Sequence, residues 1–210
     1  MDIIDSEVDR YLHDLANPRD PILREMELLA AERDFPIIGP QVGRLLHLLA
    51  VATGSRRVLE LGSGFGYSAY WFARAVGPEG LVVLTESSPE RAEEATAFLE
   101  RGGFAGRYRI EVGDAFEVVD RLNGQFDMVF NDVDKERYPD VLDVALATLR
   151  PGGLLVSDNM LWFGTVLEEN PLEASARGVK ELTRRLFASQ QFLTSLIPLR
   201  DGVTISVRRP

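Results

Sequence analysis

Five short apolar runs, each followed by a stretch of helical periodicity, constrain this chain more than any other feature. "RVLEL" (57–61) leads into "YSAYWFARAV", "LVVLT" (81–85) into "SPERAEEATAFLERGG", and "YRIEV" into "DAFEVVDRL". "FDMVF" leads into "YPDVLDVALATLRPGG", and "GLLVSD" passes through a loop into "EASARGVKELTRRLFAS". Strands that alternate with helices predict an α/β fold with a mostly parallel sheet and helices on both faces. Two last runs, "FLTSLIPL" and "GVTISVRR", meet through Asp201-Gly202, a hairpin signal that adds an antiparallel pair. That makes seven strands. The first 55 residues read as extra helices: Ile4, Val8, Tyr11, Leu12 and Leu15 behind an Asp5/Ser6 cap, then "DPILREMELLAAERD" after Pro18, then "GPQVGRLLHLLAVATG". We expect a single domain over 1–210, with a helical cap (1–55) on a strand–helix core (56–210).

Composition narrows the function. The longest apolar stretch of the first third, "LLHLLAVA", is too short to span a bilayer and contains His47. The N-terminus "MDIIDSEVDRYL" is acidic where a signal peptide is basic, so a cytoplasmic location is expected. The absence of cysteine excludes disulfides, thiolate zinc sites and cysteine nucleophiles. A net charge of -10 opposes a phosphate backbone, and the scattered arginines form no basic run, which disfavours nucleic acid as a partner. Of 23 basic residues only Lys135 and Lys180 are lysines.

In an open α/β sheet, ligands bind beyond the carboxyl ends of the strands. The first strand opens into "ELGSGFGYS", which contains Glu60, Gly62, Ser63, Gly64, Tyr67 and Ser68. Glycines there let the backbone approach a ligand, and the next helix supplies free N–H donors. A plain tight turn is the competing reading. Tyr67 stands where a dinucleotide fingerprint has its third small residue, which weakens a nicotinamide site. Glu86, past the second strand, is placed to accept hydrogen bonds from two ribose hydroxyls. Asp114, past the third, would line an adenine pocket or cap a helix. Past the fourth come Asp132, Asp134 and Lys135, and past the fifth Asp158 and Asn159. Carboxylates and an amide, converging from neighbouring strands, are hard oxygen ligands suited to magnesium, manganese or calcium. Helix caps at Asp132/Asp134 and a turn at Asp158-Asn159 are the alternatives.

Together these residues resemble the cation-dependent S-adenosylmethionine O-methyltransferases related to catechol and caffeoyl-CoA O-methyltransferase. The resemblance runs from "YLHDLANPRDPIL" through "IIGPQVGRLL" and "VLELGSGFGYSAYWFA". It continues through "FNDVDKERYPDVLDVALATLRPGGLLVSDNMLWFGTV" to "IPLRDGVTISVRR". It implies a Rossmann-like class I methyltransferase fold and a homodimer. It also implies metal ligands at Asp132, Asp158 and Asn159, with Lys135 as catalytic base. S-adenosylmethionine would rest on Ile38, Glu60, Gly62, Ser63, Gly64, Tyr67 and Ser68, with Glu86 at the ribose, Asp114-Ala115 at the adenine and Asp132 alongside. The acceptor would be a catechol-like aromatic chelated to magnesium.

Two departures stand out. Asn131 occupies a usually aliphatic position, where it would bond beside the metal site or face water. The segment after Trp162, "FGTVLEENPLEASARG", matches only the bare pattern, so Trp162 and Phe163 either stack on the acceptor or pack. A hydroxylated nucleoside in RNA and a non-catalytic cofactor-binding role are the alternative functions.

Overall fold

The computed structural model describes residues 4–17 and 19–210. Residues 1–3 of the acidic N-terminal stretch, and Pro18 ahead of the second helical pattern, lie outside the described residues. Three helices come first: α1 (Ser6–Ala16), α2 (Pro21–Glu32) and α3 (Gly39–Ala52). The Asp5 carboxylate accepts from Glu7 N and Val8 N at the start of α1, and Asp20 does the same for Ile22 N ahead of Pro21. These caps satisfy N–H groups that the first helical turn leaves open.

Strand and helix then alternate: β1 (Arg57–Leu61), α4 (Tyr67–Ala75), β2 (Leu81–Glu86), α5 (Pro89–Arg101), β3 (Tyr108–Val112), α6 (Ala115–Val119), β4 (Phe126–Asn131), α7 (Tyr138–Thr148), β5 (Leu149–Ser157) and α8 (Ala174–Ala188). The chain closes with β6 (Phe192–Ile197) and β7 (Val203–Arg208). The described residues form one seven-stranded sheet in the order β3-β2-β1-β4-β5-β7-β6. The first five strands are parallel, and β7 runs antiparallel between β5 and β6. After β3 the chain crosses back to place β4 against β1, so the order reverses there and a crevice opens at the two carboxyl ends.

Alternate strand residues enter opposite layers. Val58, Leu84, Met128, Phe130 and Val156 pack under the α2–α5 side, against Leu46 and Phe72. Leu59, Leu61, Val83, Val129 and Leu155 pack against Val141, Leu182 and Leu186 of α7 and α8. Each fully buried side chain of this size contributes roughly 1.5–3 kcal/mol. One boundary differs from expectation. The helix read as far as the glycines of "LRPGG" ends at Thr148, because Leu149 already pairs with Phe126 and β5 begins there. No helix among the described residues is long and apolar enough to cross a membrane.

Candidate active site

The carboxyl ends of β1, β2, β4 and β5 open into a cleft of about 2000 Å³, walled on its far side by α1, α2 and the 34–41 segment. Small-molecule sites usually occupy about 300–1,000 Å³, so there is room for two ligands side by side. Ile38 lines this cleft, as do Gly62, Ser63, Gly64, Tyr67 and Ser68 of the loop after β1. Gly62, Gly64 and Gly66 take φ of 77°, 54° and 88°, a curl that only glycine adopts without strain. Gly62 N donates to Thr85 Oγ1, and that hydroxyl donates to the Glu60 carbonyl, so the curl is tied to both strands beneath it.

Glu60 differs from the expectation of direct ligand contact. It is fully buried under the loop, because its strand position aims it beneath α4 and away from the cleft. Its carboxyl accepts from Ser63 Oγ at 3.0 Å and from Ser68 Oγ, so it shapes the loop from below. Burial is the main cause that pushes this carboxyl up to about 8, with the two serine bonds opposing it. Between the ordinary value of 4.5 and about 8 the unfolded chain has released a proton that the folded chain keeps, so this group's contribution weakens as pH rises through that window. Glu60→Gln keeps the shape and removes the titration. Its stability relative to wild type, read from urea unfolding, is expected to rise by about 2 kcal/mol between pH 6 and pH 8. A difference that stays flat with pH would refute a buried neutral carboxyl.

Glu86 Oε1 accepts from Ser88 N at 2.8 Å and from Arg91 Nε at 2.9 Å, and Arg91 Nη2 lies 2.8 Å from it in an ion pair. Among the described residues nothing donates a hydrogen bond to its Oε2, and the side chain lines the cleft. Asp114 realises its capping reading. Its carboxylate caps α6 through Phe116 N and Glu117 N, and it lines the cleft beside Ala115.

Asp132 leaves β4 with its N–H on the Leu61 carbonyl at 2.9 Å, and its Oδ1 accepts from Lys135 Nζ at 2.7 Å. The lysine sits on a 3-10 turn, Lys135–Arg137, with Nζ 5.3 Å from the Tyr138 ring centroid and 5.7 Å from that of Trp162. α8 presses on this turn: a Cβ at Gly178 would stand 2.1 Å from the Lys135 carbonyl oxygen. Asp158 is buried one strand away, its carbonyl accepting from Tyr138 Oη at 2.8 Å. Burial first, and then the charge of Asp132, push the Asp158 carboxyl up to about 7. Asp132 is also raised by burial, with Lys135 opposing. Neither Asp132 nor Asp134 caps the turn through its side chain, so the capping alternative is not realised. Asn159 follows with φ 56°, its Nδ2 3.5 Å from Asp201 Oδ2.

The structure therefore brings Asp132, Lys135, Asp158 and Asn159 to one wall of the cleft. No group of three or more histidine, aspartate or glutamate side chains forms a metal cage among the described residues; the donor set is two carboxylates and one amide. A hard dication fits it, because the charge of half-buried Asp132 raises the proton affinity of buried Asp158, and Lys135 is the one ammonium paired with Asp132. Asn131 does not face water: it is fully buried, its Oδ1 lies 3.5 Å from Val133 N, and its Nδ2 has no partner. Three neighbours escaped sequence reading. Tyr138 reads in the sequence as a helix start and Asp201 as half of a turn signal, and Arg200 carries no local signal. Asp201 Oδ1 in fact accepts from Phe163 N at 2.7 Å and pins the aromatic edge of the cleft.

The chain is similar to known proteins over nearly its whole length. Catechol O-methyltransferase of Niastella koreensis is 35% identical over 211 residues, covering 95% of this chain and 96% of the relative. Catechol O-methyltransferase of Mycobacterium tuberculosis is 37% identical over 167 residues, 78% of this chain and 76% of its own. Among solved structures, the O-methyltransferase TomG of Streptomyces achromogenes, involved in tomaymycin synthesis and determined with SAM, superposes with a TM-score of 0.89 at 32% identity, covering 97% of this chain and 96% of that one. The O-methyltransferase of Bacillus cereus, determined with SAH, gives 0.88 at 28% identity, covering 97% of each chain. The O-methyltransferase family profile matches residues 15–209, and the chain belongs to that family.

Proposed function

We propose that this protein moves a methyl group from S-adenosylmethionine to a hydroxyl of a catechol-like aromatic, with a divalent cation (magnesium, manganese or calcium) held by Asp132, Asp158 and Asn159. The observation that carries this reading is the pairing of half-buried Asp132 with buried Asp158 on adjacent strand ends, beside the glycine curl and the single nearby amine of Lys135. The cofactor supplies an electrophilic methyl, and the cation supplies a template and charge compensation for a deprotonated catechol oxygen.

The chain's own groups divide the remaining work. The glycine curl and the Ser68 hydroxyl receive the amino-acid end of the cofactor, and the free Glu86 Oε2 accepts from the ribose hydroxyls. In the neutral amine form, its own proton first released to water, Lys135 Nζ would take the proton of the attacking hydroxyl, held in place by Asp132 and by the flanking Tyr138 and Trp162 rings. Trp162 and Phe163, with ring centroids 5.4 Å apart, offer an apolar edge to the acceptor ring. Positioning two reactants in one cleft supplies much of the acceleration.

The test is methyl transfer from labelled S-adenosylmethionine to caffeate, dihydroxybenzoate and a flavonoid, with magnesium or with EDTA. Turnover that EDTA abolishes is the expected result. Turnover indifferent to EDTA would remove the cation from the reading, and label entering RNA but no catechol would change the acceptor. S-adenosylmethionine is also expected to raise the melting temperature where NAD does not.

A further inference from the structure

Five non-glycine residues among those described adopt left-handed backbone: Asp34, Asn159, Trp162, Phe163 and Arg200. All five line the cleft. Backbone strain of this kind persists where the surrounding structure has to aim a side chain. Asn159 aims an amide, and Trp162 and Phe163 build the aromatic edge, but nothing described so far uses Arg200.

Arg200 stands at the corner between β6 and β7 with φ 49°. Its side chain reaches across the cleft mouth, where Nη1 donates to the Ile37 carbonyl at 2.9 Å. Gly39 makes room for it, since a Cβ there would lie 2.7 Å from Nη1. That bond uses one of five guanidinium N–H donors. Arg200 forms no direct ion pair among the described residues, although its charge favours ionisation of Asp132, Asp158 and Asp201. The next residue, Asp201, holds Phe163 N, so the guanidinium and the aromatic edge hang from one corner. In a chain of net charge -10, an anionic acceptor approaching this acid-rich cleft would be repelled unless a cation met it at the mouth.

Resting on the acceptor reading above, we propose that Arg200 is a specificity residue that selects acceptors carrying a carboxylate, that is, dihydroxylated benzoate-like or cinnamate-like acids. A planar guanidinium with free donors matches a carboxylate in two-pronged fashion. The aromatic edge beside it would hold the ring while the hydroxyl pair points inward, toward Lys135.

The experiment compares kcat/KM for dihydroxybenzoate and for methylcatechol, which share the hydroxyl pair and differ in charge, in wild type, Arg200→Gln and Arg200→Lys. Wild type is expected to prefer the benzoate. Arg200→Gln should cut that preference about tenfold or more, mainly through the KM of the benzoate, with Arg200→Lys restoring part of it. Equal losses on both acceptors with a lowered melting temperature would reduce Arg200 to a strap on Ile37 and overturn the proposal. So would a change confined to the KM of S-adenosylmethionine, which would assign the charge to the cofactor's own carboxylate. Should wild type methylate neither acceptor, the methyl-transfer reading fails separately. Calorimetric binding of the two acceptors to wild type and Arg200→Gln then decides on Arg200, and an absent benzoate preference sinks it.

Discussion

Lys135→Ala is expected to lower kcat for methyl transfer about 100- to 10,000-fold, the range a positioned proton acceptor contributes. Three contacts define the position of Nζ: Asp132 Oδ1 at 2.7 Å, the Tyr138 ring and the Trp162 ring. An ammonium so placed is largely withdrawn from water, with 12% of its side chain exposed, yet it borders the cleft. Lys135→Arg is expected to rescue little, because a guanidinium stays protonated and so cannot accept the proton, and its planar fork does not match a site that holds one compact amine. This separates proton transfer from mere charge pairing with Asp132, which arginine would satisfy. Single-turnover rates for the two variants, with and without magnesium, make the measurement. Rates within a few-fold of wild type for Lys135→Ala would remove the lysine from the chemistry.

Asp158→Asn is expected to move stability and activity in opposite directions. Asp158 sits buried with its carboxyl pushed up to about 7, through burial and the charge of Asp132. A raised carboxyl weakens the fold as pH rises from the ordinary 3.8 toward that value, so the penalty is complete above about 7 and absent in strong acid. The amide carries no charge to bury. In EDTA at pH 8 the variant should therefore be more stable than wild type by about 4 kcal/mol, with the difference falling below about 1 kcal/mol near pH 4. The same change removes one of the proposed cation ligands. Methyl transfer should fall at least about 100-fold, and the rise in melting temperature that magnesium gives wild type should disappear. A variant that is less stable at pH 8 would show that the carboxylate is satisfied by the protein alone. A retained magnesium shift would place the cation elsewhere.

These two positions also show what one dimension of information carries. D-x-D-K and S-D-N can be read directly because each motif lies within a few residues at the end of a recognisable strand. Asp132 and Lys135 meet through an i,i+3 contact that the sequence spacing already contains. Glu60 is different. It stands one residue before the end of β1, and alternation alone does not say which face of the strand is covered. It was read as touching the ligand, and α4 buries it beneath the loop instead.

The sequence by itself determined the alternation of strands and helices, the terminal antiparallel pair, the caps at Asp5 and Asp114, and the residues at each strand end. All of these follow from short-range rules, such as periodicity, turn chemistry and unsatisfied N–H groups at helix starts. Only the tertiary structure decided which carboxylates are buried, as Asp158 and Glu60 are, that Tyr138 lies under Lys135 and braces the Asp158 carbonyl, and that Arg200 reaches Ile37 across 163 positions of sequence. The reason is physical. Burial, and with it the charge preferred by each acid, depends on what neighbouring elements cover, and that is a property of packing rather than of adjacency along the chain.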